Sequence, residues 1–193
     1  MKGKRKMDKI LFINACVRPE SRTYVLAKHA LERLNGSVTE VKLIDEELPP
    51  LTNDLLMLRD NLIKDGHTDH PFLRYARQFA EADTIVIAAP YWDLIFPATV
   101  RLYFEHITVT GLTFCYTPQG FPESLCKAKR MIYITTAGGP VFANFGYDYC
   151  KTMAEAYFGI KDCKCFMAEN LDIDGADVEA ILAKAKEEIK SII

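Results

Sequence analysis

The run Thr84-Ile85-Val86-Ile87-Ala88-Ala89 limits what this chain can fold into more than any other stretch. It is too short for a core helix and lacks the alternation of a strand with one wet face, so it describes a strand buried on both faces. Such strands belong to parallel sheets covered by helices on either side. Pro90 has no N–H for a central ladder and ends the strand. Pro97 suits the first turn of a helix, where the missing N–H is no loss. Between the prolines stand Tyr91 and Trp92, the latter the only tryptophan. They sit at the carboxyl end of the strand, where open α/β sheets receive ligands. A planar ligand accounts for two large aromatics there; packing at a subunit contact is the alternative.

The same alternation of apolar runs and helical stripes extends over the chain. Ile10–Ala15 reads as a buried strand and Ser21–Leu34 as a helix with Leu26, Ala27, Ala30, Leu31 and Leu34 on one face. Asn35-Gly36 then reads as a C-cap. Val38–Ile44 is a second strand, followed by an acidic, proline-marked loop at Glu46–Pro50. Leu55–Ile63 and Phe72–Ala80 follow as helices, then the Thr84–Ala89 strand and a helix over Pro97–Ile107. Leu112–Tyr116 is a short β excursion. Arg130–Thr136 is the fourth main strand, Phe145–Tyr157 a helix, Cys165–Ala168 the fifth strand and Asp177–Ile193 a closing amphipathic helix. Five strands alternating with helices predict an α/β, flavodoxin-like three-layer sandwich around a five-stranded, doubly wound parallel sheet.

Composition narrows the class. At 193 residues, 49% hydrophobic and 26% charged, the chain suits a single globular domain. Lys2, Lys4, Arg5 and Lys6 contribute four positive charges, so the remainder carries −6 against −2 for the whole. Residues 1–7 are expected to form a disordered basic extension and 8–193 the single domain. Nothing resembles a nucleic-acid surface, a signal peptide or a membrane span. The six cysteines are scattered, without a zinc-finger pattern, and read as buried thiols of a reducing cytoplasm. A redox or metal role for Cys163 and Cys165 is the other reading; no metal is expected.

Three strand-end loops carry the chemistry. The first, Cys16-Val17-Arg18-Pro19-Glu20-Ser21-Arg22-Thr23, lacks the glycines of a dinucleotide fingerprint or a P-loop. Its hydroxyls, its arginines and the free N–H groups of the following helix suit one phosphate monoester, although Ser21 also reads as a plain N-cap. The loop Pro90-Tyr91-Trp92-Asp93-Leu94 supplies an aromatic wall. Thr136-Ala137-Gly138-Gly139 lets backbone approach a flat heterocycle. Phosphate anchor, aromatic wall and glycine floor at one end of one sheet fit FMN. Hydride chemistry would then take place on the cofactor, so no side chain is assigned as a catalytic acid or base.

Ser21-Arg22-Thr23, Ala89-Pro90-Tyr91-Trp92-Asp93, Tyr103-Phe104 with Gly111-Leu112-Thr113-Phe114, and Thr136-x-Gly138-Gly139 together resemble the FMN-dependent NAD(P)H azoreductase and quinone oxidoreductase family. The resemblance runs from about Lys9 to Glu169. It implies a homodimer with flavin near the interface, NAD(P)H as co-substrate, and a small electron acceptor such as a quinone or an azo compound. Where azoreductases commonly carry Met-Tyr-Asn-Phe-Asn, this chain has Tyr91-Trp92-Asp93-Leu94-Ile95. A carboxylate beside the flavin O4/N5 edge would lower its potential relative to asparagine. Two other readings compete: a flavodoxin-type electron carrier, against which Arg18 and Arg22 argue, and an NAD(P)H-dependent FMN or metal reductase.

Overall fold

The computed structural model describes residues 7–192. Its elements are β1 (Asp8–Asn14), α1 (Arg22–Leu31), β2 (Gly36–Lys42), α2 (Asn53–Lys64), α3 (Arg74–Glu81), β3 (Thr84–Ala88), α4 (Ala98–Ile107), β4 (Phe114–Tyr116), β5 (Pro122–Ser124), β6 (Arg130–Thr136), α5 (Phe145–Ala156), β7 (Asp162–Ala168) and α6 (Val178–Ile192). Five strands form one sheet in the order β2-β1-β3-β6-β7, every pair parallel. The expected doubly wound sandwich is what the chain forms. Because β1 connects to β2 on one side and lies beside β3 on the other, the strand order reverses between β1 and β3. The crevice at that switch point, beyond the strands' carboxyl ends, is where such sheets take ligands.

The period of the strands builds both outer layers. Along β1, Leu11 and Ile13 face the core beneath α3, α4 and α5, whereas Ile10 and Phe12 face the core beneath α1 and α6. All five residues of β3 are buried, as a continuous apolar run requires. Two buried faces hold the strand ends rigidly, and with them the loops that carry the site.

Several boundaries differ from the sequence reading. The helix α1 stops at Leu31: the Glu32 N–H closes the last i−4 bond, to Lys28, and those of Arg33 and Leu34 tighten to i−3 carbonyls. Gly36 is no C-cap. It opens β2 opposite Asp8, and a Cβ there would land on the Asp8 carbonyl. The fifth main strand begins three residues earlier than expected, at Asp162, with its first half only partly buried and so weakly marked by hydrophobicity. The short excursion is half of an antiparallel hairpin, β4 with β5. Of the expected basic extension, residues 1–6 lie outside the described residues and Met7 is exposed. No helix among the described residues is long and apolar enough to cross a membrane.

Candidate functional site

The first wall of the site is the end of α1. Ser21 takes an extended conformation and its hydroxyl accepts the Tyr24 N–H at 3.2 Å, so the cap reading is right. That bond leaves the hydroxyl proton to be donated, either to the Cys16 sulfur or to a ligand. The N–H groups of Arg22 and Thr23 have no partner among the described residues. No acidic side chain occupies the first turn of α1, so this helix end presents positive potential to the crevice. Cys16 lies behind this wall, buried; its N–H is held by the Asn14 side chain at 2.9 Å. Burial pushes the Cys16 thiol up to about 11, against a smaller opposing hydrogen bond from Ser21. It is a packing residue, protonated at neutral pH.

The second wall follows β3. Tyr91 is fixed by its N–H to the Thr136 carbonyl (3.0 Å) and its hydroxyl to the Ala143 carbonyl (2.9 Å). Trp92 and Ile95 exchange two backbone hydrogen bonds of 2.9 Å, closing a two-residue turn over Asp93 (φ 49°) and Leu94 (φ 73°). Both central residues are left-handed, as a type I′ turn demands. The Trp92 N–H is therefore used within the turn and is not free for a ligand. The Asp93 and Leu94 N–H groups are the ones without a partner among the described residues. Asp93 tolerates this backbone; Leu94 does not, at a cost of about 1–2 kcal/mol. Leu94→Gly is expected to raise Tm by about 2–4 °C in a thermal melt of flavin-free protein. A lower Tm would mean that contacts of the leucine side chain outweigh the strain.

The floor follows β6. Thr136 and Thr23, both buried, share a hydroxyl–hydroxyl hydrogen bond of 2.6 Å that ties the end of β6 to the first turn of α1. Beyond it, the Leu171, Asp172 and Asn170 N–H groups donate to the carbonyls of Ala137, Gly138 and Gly139 at 3.2, 2.8 and 3.1 Å. The carbonyls of this turn are thus occupied, while the N–H groups of Gly138 and Gly139 have no partner among the described residues.

These walls enclose a cavity of about 710 Å³, within the usual range for ligand sites. Arg18, Ser21, Arg22, Thr23, Pro90, Tyr91, Trp92, Thr136, Ala137 and Gly138 line it, all of them expected from the sequence. Cys16, Asp93, Leu94 and Gly139 do not. Asp93 is exposed at the rim. The sequence reading missed Asp172, which also lines the cavity. The available signal was its place just beyond the fifth strand, at the same end of the sheet. Arg22 does not stand free: Nη1 donates to the Leu171 carbonyl at 2.8 Å and Nη2 to the Asp172 carboxylate at 2.6 Å.

Other candidates fall elsewhere. His106 is buried on α4 with Nε2 2.8 Å from the Pro49 carbonyl, and the ring of His70 accepts the Phe72 N–H. Burial pushes Cys163 and Cys165 up to about 11 and 12, which leaves both as thiols. Among the described residues no three His, Cys, Asp or Glu side chains are grouped to hold a metal.

A parallel sheet in 2-1-3-4-5 spatial sense, with a helix-end anchor, an aromatic wall and a glycine floor at its switch point, defines a flavodoxin-like protein. The profile of the family described as "Flavodoxin-like fold" matches residues 8–193, and the chain belongs to that family. Over 95% of its length it is 38% identical to a protein of Clostridium acetobutylicum named FMN-dependent NADH:quinone oxidoreductase 2, covering 99% of that relative. A Lachnoclostridium phytofermentans protein named FMN-dependent NADH:quinone oxidoreductase is also 38% identical, over 94% of this chain and 96% of the relative. Among solved structures, an azoreductase from Bacillus anthracis superposes with a TM-score of 0.78 at 25% identity, covering 96% of this chain and 98% of the other.

Proposed function

We propose that the cavity holds FMN and that the protein is an oxidoreductase passing two electrons from NAD(P)H through it to a small acceptor, a quinone or an azo compound. The observation that carries this reading is the cavity itself. Its lining combines unpartnered helix N–H groups and arginines with an exposed indole and the unpartnered Gly138 N–H. A ligand with a phosphate at one end and a flat heterocycle bearing carbonyls at the other matches both. The names of the relatives supply the same cofactor and donor.

When bound, FMN supplies the hydride-accepting centre, and the chain's task is to hold and orient. The Arg22 and Thr23 N–H groups, the Ser21 hydroxyl and the arginines Arg22 and Arg18 would hold the phosphate. Thr23 would take part through its backbone, since its hydroxyl is bonded to Thr136. Tyr91 and Trp92 would flank the ring system. The Gly138 N–H in the lining would be open to one polar edge of the ring, and the Asp93 and Leu94 N–H groups at the rim would be the other free donors nearby. Pro90, Thr136 and Ala137 shape the space between.

Around the mouth, Trp92 (41% exposed), Leu94, Ile95, Phe142 (86% exposed) and Phe145 form an apolar rim. A second copy of the chain covering this rim, as a homodimer, fits groups that water solvates poorly. Six free cysteines suit a reducing cytoplasm.

The test is a visible spectrum of purified protein before and after anaerobic NADH or NADPH. The expected result is a yellow, flavin-loaded protein that bleaches directly to the two-electron form. Loaded protein that ignores both nucleotides would make it an electron carrier instead. A colourless protein that also fails to take up added FMN would refute the reading.

A further inference from the structure

Arg22 is the cation closest in sequence to the helix end that anchors phosphate, yet it is already paired. Its guanidinium reaches from the first residue of α1 to the segment after β7, bonding the Leu171 carbonyl and one Asp172 carboxylate oxygen. The other Asp172 oxygen lies against Gly138, where a Cβ would collide with it. The Asp172 backbone is itself pinned, N–H to the Gly138 carbonyl at 2.8 Å. This carboxylate is 65% exposed to solvent, yet its backbone tether and its bond to Arg22 hold it at the cavity wall, so its charge acts there through partial solvent screening. The charged lining groups are Arg18 and Arg22 against Glu20 and Asp172, so the cavity walls carry no net charge.

A phosphate monoester brings a charge of about −1.5 to −2 at neutral pH. Near such a group a pinned carboxylate opposes binding directly, and it neutralises the guanidinium that would assist. We propose that Asp172 sets the affinity of the cavity for the phosphate end of its ligand, by acting as a built-in counter-charge to Arg22. The inference rests on FMN being the ligand. Arg22 keeps three of its five donors for the phosphate, so Asp172 weakens the anchor without abolishing it. The result is a cofactor that exchanges rather than one held permanently.

Asp172→Asn tests this, because asparagine keeps the shape beside Gly138 and can still accept from Arg22 while removing the charge. Flavin-fluorescence titrations of the stripped protein would compare FMN with riboflavin, which lacks the phosphate. The expected result at low salt is about tenfold tighter FMN binding with riboflavin unchanged, the difference shrinking as salt screens it. In an Arg22→Gln background the gain should be smaller, because only the direct repulsion between Asp172 and the phosphate is left to relieve. Equal or weaker FMN binding by Asp172→Asn, or a parallel shift of FMN and riboflavin, would overturn the proposal while leaving the FMN reading standing. Wild-type protein that binds neither flavin would overturn both.

Discussion

Replacing Gly138 with valine is expected to weaken FMN binding at least about a hundredfold, equivalent to about 2.7 kcal/mol, while the chain still folds. Gly138 needs no special backbone angle; it is absent from the residues with positive φ. Its requirement is space. A Cβ there would overlap Asp172, with the carboxyl carbon 2.9 Å and the Asp172 Cβ 3.2 Å away. Valine must displace the carboxylate and the segment zipped to it, or push its own loop into the cavity. Either movement removes the flat floor on which a heterocycle would rest. Gly139 is the internal control. A Cβ built there has nothing within 4 Å, and Gly139 does not line the cavity, so Gly139→Ala should change affinity by less than about threefold. Titration with riboflavin beside FMN reads the loss at the floor by itself, because riboflavin lacks the phosphate on which Asp172 acts. Circular dichroism and a thermal melt report whether the fold survives, and Gly138→Ala provides a milder step. Full affinity in Gly138→Val would remove the glycine turn from the site.

Much of this was legible in the chain because the signals were local. The β3 strand announces itself as a run of buried β-branched residues, and Pro90 marks its end to within one residue. The three site loops follow strand ends, so placing the strands placed the loops, and the lining residues from Ser21 to Gly138 came with them. What was hidden depends on approach between distant segments. Gly36 looks like a helix stop by itself; only the register of β2 on β1 reveals that it makes room for the Asp8 carbonyl. Trp92 lost its N–H to a turn whose type cannot be read from Asp93-Leu94, a pair that no glycine or asparagine flags for left-handed backbone. Asp172 is 150 residues from Arg22 in sequence, and no periodicity connects them. Early hydrophobic patterning thus finds the scaffold, whereas charge pairing across the crevice needs coordinates.

The threonine pair at the base of the site illustrates the same point and carries the larger stability effect. Thr23 and Thr136 were each recognisable as site residues, but their mutual bond was not. Each is a buried hydroxyl at 2.6 Å from the other, joining α1 to β6 beneath the cavity. Thr136→Val keeps the volume and leaves the Thr23 hydroxyl buried without a partner, at an expected cost of about 1–3 kcal/mol. Thr23→Val should cost a similar amount. The double variant removes both polar groups, so its expected loss is smaller than the two single losses combined, and it approaches the wild type if the side chains repack. The neighbouring Thr135 sharpens the comparison. Its hydroxyl is buried with no hydrogen-bond partner among the described residues, so Thr135→Val should cost nothing or stabilise the fold. Urea denaturation of the four variants, with unchanged m-values as the check on two-state behaviour, measures all of this. If Thr135→Val proves as damaging as Thr136→Val, the 2.6 Å bond is not what the hydroxyls contribute, and β6 demands threonine for some other reason. If the double variant is stable yet binds FMN less tightly, the bond serves to aim the first turn of α1 at the phosphate rather than to hold the fold together.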